Sequence, residues 1–243
     1  NDDLRSETMI SVFRNWKKGA ILLTDAGWGD SGKGKCVSAL KADIGVKIIG
    51  GHNAGHTIVT DKGEFGLGLI PSTIVNRDSF NIIGQEVVIK PLFLINEIEG
   101  LKNLGIGVSP KNLMIDERSH LVMKWHEVRD ALSEEARGKG ALGSLHLGVG
   151  WTYSDRVNRR GLRLQDILAP DWEKRVRAEL KNQIGVIKDM AKDVKRKTGI
   201  KSKVDKSLNE KEIIKDMAYA RKFLSPFVDN TIDFIWKALD YDR

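Results

Sequence analysis

The feature that most constrains this chain is Gly29-Asp30-Ser31-Gly32-Lys33-Gly34-Lys35, set just behind the apolar run Ala20-Ile21-Leu22-Leu23. It reads as a glycine-rich turn between a predicted strand and a predicted helix whose inner face carries Cys36, Val37 and Leu40. Such a turn suits phosphate. Glycines let backbone N–H groups converge on an anion, the helix N-terminus adds partial positive charge, and lysine supplies a point charge. The segment satisfies G-x4-G-K, but Cys36 follows where a phosphate loop places Ser or Thr. A thiol is a poor Mg²⁺ ligand, so a metal bound here falls to Asp30.

A second segment, Gly50-Gly51-His52-Asn53-Ala54-Gly55-His56-Thr57, follows another β-like run, Val46-Lys47-Ile48-Ile49. Small residues around an Asn and two His describe a backbone that approaches a ligand closely. The side chains add hydrogen bonds and a group that titrates near neutral pH.

These two segments resemble the adenylosuccinate synthetase family, whose members carry W-G-D-E-G-K-G-K and G-G-x-N-A-G-H-T at this separation. The similarity continues through Leu69-Ile70-Pro71-Ser72, Ile82-Ile83-Gly84, Tyr153-Ser154-Asp155-Arg156-Val157 and Arg159-Arg160-Gly161-Leu162-Arg163. The resemblance implies a GTP-dependent ligase that joins IMP to L-aspartate through 6-phosphoryl-IMP. Asp30 would be the general base, His56 would stabilise and protonate the transferred phosphate, and Lys33 would share in the chemistry. Gly29, Asp30, Ser31, Gly32, Lys33, Gly34 and Lys35 would wrap the GTP phosphates, helped by Gly55, His56 and Thr57. IMP would meet Asp30, Lys33, Asn53, Ala54, Gly55, His56, Ser144, Leu145 and Arg159. Mg²⁺ would be held by Asp30 and the carbonyl of Gly55. Arg159 matches the arginine that the family extends to the partner's nucleotide, so a homodimer is implied.

The chain departs from the family in places. Ser31 stands for a glutamate, and Gly68 for a histidine. In the loop Gly143-Ser144-Leu145-His146-Leu147-Gly148 the family has G-T-T-G-R-G. Ser144 keeps one hydroxyl, Leu145 loses the other, and Leu147 replaces the arginine. Each lost hydrogen bond to a charged group is worth about 1.5–3 kcal/mol, so nucleotide binding is expected to weaken roughly tenfold to hundredfold. The family's later segments, which grip aspartate and guanine, have no counterpart before Arg243. A non-catalytic or partial GTP-binding relative is therefore the alternative reading.

With 41% hydrophobic and 30% charged residues, the composition is that of a globular protein. No run is long enough to span a bilayer, and the single Cys36 agrees with a reducing, cytoplasmic setting. A net charge of +7 and the basic stretch Lys188 to Lys206 raise nucleic-acid binding as a rival. That stretch lacks aromatic residues and interleaves Asp189, Asp193 and Asp205, which fits a solvated helical face.

The expected fold is α/β: a phosphate-loop-like mixed sheet flanked by helices, with a helical C-terminal portion. Strands are expected at 20–24, 46–50, 56–60 and 86–90 and near Met114-Ile115, with helices near 35–43 and 91–104. Further helices are expected through Leu121, Trp125 and Leu132, over Trp172 to Ile187, over Glu212 to Phe223, and from Val228 to Leu239. Residues 1–19 read as an extension, 20–169 as the nucleotide-binding core, and 170–243 as the helical region.

Overall fold

A computed structural model of the protein describes residues 19–24, 32–40, 42–53, 55–60, 63–199, 201–202 and 208–240. Among the described residues four strands form a parallel sheet: β1 (Ile44–Gly50), β4 (Phe80–Val87), β5 (Leu113–Asp116) and β6 (Val228–Asp229), in that spatial order. Between β1 and β4 in the chain, β2 (His56–Thr60) and β3 (Gly63–Leu67) make a separate antiparallel hairpin. Parallel strands all end at one edge. Gly50, Val87, Asp116 and Asp229 therefore share it, which is where α/β sheets bind ligands.

The helices are α1 (Lys33–Ala39), α2 (Pro91–Asn103), α3 (Lys124–Arg137), α4 (Val149–Val157), α5 (Leu164–Leu168), α6 (Trp172–Thr198), α7 (Glu210–Leu224) and α8 (Thr231–Asp240). α2 lays Leu94, Ile98 and Leu101 on one face, all fully buried, and Gly105 takes a left-handed φ of 74° just past its end. One buried apolar cluster runs from Leu67 to Phe227, with Trp125 of α3 among its largest members. The cluster joins the α/β portion to α6 and α7, and β6 carries the helical region back into the sheet. There the buried Asp116 accepts hydrogen bonds from the hydroxyl of Thr231 (2.7 Å) and from Arg118, tying β5 to the start of α8.

Several boundaries differ from the sequence reading. Residues 20–24 form no strand: the described strands pair without them, and Leu22 is 71% exposed. A strand needs a ladder partner for its backbone groups, and none is present there among the described residues. The strand expected at 86–90 instead covers 80–87, because Ile82 and Ile83 are buried between its two neighbours. The helix expected from Leu121 begins at Lys124. Leu121 and Val122 bond to Leu162 and Ile89 across the sheet edge before the chain turns. The helix expected over Trp172 to Ile187 continues to Thr198, so much of the basic stretch is helical. Its cations pair along the helix, Lys192 with Asp189 and Lys197 with Asp193, as a solvated face does.

Candidate functional site

The loop preceding α1 and the loop preceding β2 carry most of the residues singled out from the sequence. Gly32 enters α1 with a left-handed φ of 74°, and its carbonyl accepts the N–H groups of Lys35 (3.1 Å) and Cys36 (3.3 Å). Gly34 is buried and Cys36 half-buried. α1 lies against β2, so the structure brings together the two elements onto which these loops lead. Asn53, Gly55 and Thr57 are exposed. Gly29, Asp30, Ser31 and Ala54 lie outside the described residues, as does the side chain of His56, whose backbone opens β2.

The loop after β1 is held from several sides. Gly50 donates its N–H to the hydroxyl of Tyr153 on α4, at 2.9 Å. Lys47 donates from its ammonium to the carbonyls of Gly51 and Gly68. The carboxylate of Glu97, on α2, accepts the N–H groups of Gly68 (2.9 Å), Leu69 (3.0 Å) and Ile70 (3.1 Å) just after β3. Burial pushes the Glu97 pKa up to about 7, against those N–H bonds and the Lys47 charge. Burial likewise pulls Lys47 down to about 8, with Glu97 opposing. The sequence singled out neither residue, since a lone Lys in a strand and a lone Glu in a helix look like surface positions.

His52 is buried, its ring 5.2 Å from that of Phe93, and neither ring nitrogen has a hydrogen-bond partner among the described residues. Burial, then the charge of Lys90, drives its pKa to about 4, so the imidazole is neutral at physiological pH. Phe93 also accounts for Gly68. A Cβ on residue 68 would stand 2.7 Å from the Phe93 ring, leaving no room for the histidine usual in the family.

The glycine loop between α3 and α4 is moored to α3. Glu134 accepts the N–H groups of Gly143 (2.8 Å) and Ser144 (3.2 Å). Asp130 accepts the Ser144 hydroxyl (2.8 Å) and the N–H of Gly148 (3.0 Å). The one hydroxyl that the loop keeps is thus already donated, and Leu145 beside it is 74% exposed. Beneath the loop, buried Asp155 gathers Arg129 (2.6 Å), His126 (3.0 Å) and Gln183 (3.3 Å). His126 accepts the Met123 N–H at Nδ1, which puts its proton on Nε2, facing Asp155. His126 therefore serves the fold.

Arg159 is exposed and holds a left-handed φ of 57°, uncommon for a side chain of its size. It lines a cavity of about 470 Å³ with Arg156, Arg160, Arg163 and Arg175. Arg163 and Arg175 both reach Asp166.

The parallel sheet, the helices that flank it and the strand ends gathered at one edge define an α/β fold of the phosphate-loop nucleotide-binding type. The profile of the adenylosuccinate synthetase family matches residues 22–243, and the chain belongs to that family. An adenylosuccinate synthetase from Clostridium beijerinckii is 36% identical over 228 residues, which is 92% of this chain and 50% of that one. One from Clostridium botulinum (strain Langeland) is 40% identical over 170 residues, 68% of this chain and 40% of its own length. The solved structure of fully ligated adenylosuccinate synthetase from Plasmodium falciparum shares the fold, with a TM-score of 0.75 at 21% identity. That match covers 89% of this chain and 47% of the Plasmodium chain. The chain spans about half the length of the curated relatives it matches.

Proposed function

We propose that the chain carries the phosphoryl-transfer portion of a GTP-dependent ligase that joins IMP to L-aspartate, in purine nucleotide synthesis, through 6-phosphoryl-IMP. The observation that supports this best is the packing of α1 against β2 in a member of this family. In this reading α1, which opens on Lys33 and follows Asp30 in the chain, and β2, which opens on His56 and follows Asn53 and Gly55, serve one bound triphosphate. Asp30 removes the proton from the purine ring nitrogen, which lets the ring carbonyl oxygen attack the γ-phosphate as the bond to the β-phosphate breaks and GDP leaves. Lys33 and the N–H groups of Gly32 to Gly34 neutralise charge spread over the phosphates, and His56 protonates the transferred group. The amine of aspartate then displaces phosphate from the purine.

Mg²⁺ fits the proposed donors, because it takes few protein ligands, all oxygen, and keeps waters and substrate phosphates for the rest. Asp30 and the carbonyl of Gly55, an exposed residue, would hold it, and it would neutralise phosphate charge. Among the described residues, no cluster of three or more His, Cys, Asp or Glu competes for a metal.

A homodimer is proposed on Arg159, exposed in an arginine-lined cavity and free to meet a nucleotide bound to a second copy. Among the described residues no helix is long and apolar enough to cross a membrane, and a cytoplasmic location is part of the proposal.

A second reading, a GTP-binding relative without ligase activity, is favoured by one feature: the Ser144 hydroxyl is donated to Asp130 while Leu145 offers none. Calorimetry with GTP–Mg²⁺ followed by an assay of GDP release separates the two. Release that needs both IMP and aspartate, and is lost in Asp30→Asn, supports the ligase. GTP binding with no such release supports the second reading, and no GTP binding sinks both.

A further inference from the structure

The loop 143–148 departs most from its family pattern, yet its backbone is closely defined. Gly143, His146 and Gly148 have left-handed φ values of 75°, 55° and 72°, a costly path for six residues. Four of its donors, the N–H groups of Gly143, Ser144 and Gly148 and the Ser144 hydroxyl, converge on Asp130 and Glu134, one helical turn apart on α3. The N–H groups of Leu145 and Leu147 have no hydrogen-bond partner among the described residues. Replacing a side chain with leucine removes a hydroxyl or a guanidinium but leaves the backbone N–H in place.

We infer that Asp130 and Glu134 are positioning residues. By binding the loop's inward donors they fix its curvature, so that the N–H groups of Leu145 and Leu147 serve as donors to a phosphate monoester in place of the missing side chains. This rests on the proposal that the loop meets the monophosphate of IMP. Neither carboxylate touches the nucleotide; each acts through the backbone it holds.

The test compares Glu134→Ala with Glu134→Gln. Both lose the ion pair to Arg137, but Gln keeps an oxygen that accepts the Gly143 and Ser144 N–H groups. Amide hydrogen exchange over 143–148 reads the mooring, and calorimetric titration with IMP reads its use. Expected is faster exchange at Gly143 and Ser144 in Glu134→Ala, with IMP bound roughly tenfold more weakly and both effects largely restored in Glu134→Gln. Should Glu134→Ala fail to fold, Asp130→Asn, which keeps one acceptor and loses the other, is expected to weaken IMP binding by about threefold to tenfold. Faster exchange with unchanged IMP affinity overturns the inference and leaves a structural latch. Equal loss in the Ala and Gln variants overturns it too, since charge and not acceptor geometry would then matter. A native chain that binds GTP–Mg²⁺ but no IMP removes the IMP reading together with this inference, whereas the other failures leave that reading standing.

Discussion

The hydroxyl of Tyr153 accepts the N–H of Gly50 at 2.9 Å and donates to the carbonyl of Glu86 at 2.8 Å. One phenol thus joins α4 to the ends of both β1 and β4, at the point where the Gly50–Thr57 segment leaves the sheet. Tyr153→Phe keeps the ring but leaves these two half-buried backbone groups without their partner. It is expected to cost about 1–2 kcal/mol and to weaken GTP–Mg²⁺ binding. Urea unfolding and calorimetry of the variant check both parts. An unchanged midpoint would mean that water replaces the phenol.

Phe93 and Gly68 form a matched pair. Gly68→Ala drives a methyl into the Phe93 ring, pushing the ring off His52, and is expected to cost about 1–3 kcal/mol. In a Phe93→Ala background the same change should cost markedly less. A double-mutant cycle on unfolding free energies measures the coupling, and strict additivity would show that the ring gives way freely.

The sequence made much of this legible. The β1 and β2 positions, the buried face of α2 and the helix around Trp125 follow from apolar spacing, and the loop residues follow from family motifs. It failed where long-range pairing decides. Residues 20–24 have a strand's composition, but a strand exists only with a neighbour. The helix expected to stop at Ile187 runs on to Thr198, because charge obscures the helical period of Lys188 to Thr198, although Val194 is buried. Glu97, Lys47, Asp130 and Glu134 carried no local signal, because their partners are backbone groups remote in sequence or beyond the end of a helix. Ser144 was legible as a hydroxyl donor, but its recipient Asp130, fourteen residues earlier, was not.

Asp155 is the buried centre beneath the glycine loop. Burial tends to raise its pKa, but hydrogen bonds from His126 and Arg129 outweigh this and hold it below the usual carboxylate range. Asp155→Ala would leave Arg129 buried without its counter-charge and is expected to cost about 3–5 kcal/mol. Urea denaturation checks it. A loss under about 1 kcal/mol would mean that Arg129 finds water or Gln183 sufficient.

Glu97 gives the chain a pH dependence of unusual sign for a carboxylate. Its folded-state pKa is raised from 4.5 to about 7, so between those values the native chain holds a proton that the unfolded chain has lost. Stability from this group is full below the unfolded value and declines as pH rises towards 7. Lys47 follows a separate limb. Lowered from 10.5 to about 8, it is deprotonated earlier in the native chain, so stability recovers as pH climbs between those values. Glu97→Gln keeps an oxygen for the Gly68, Leu69 and Ile70 N–H groups and removes the titration. Between about pH 5 and pH 7.5 the native protein should therefore lose on the order of 2 kcal/mol relative to that variant. Urea midpoints of both proteins across this range supply the measurement. Parallel curves would show that Lys47 keeps Glu97 ionised throughout, and that the three N–H bonds cap a carboxylate and not a carboxylic acid.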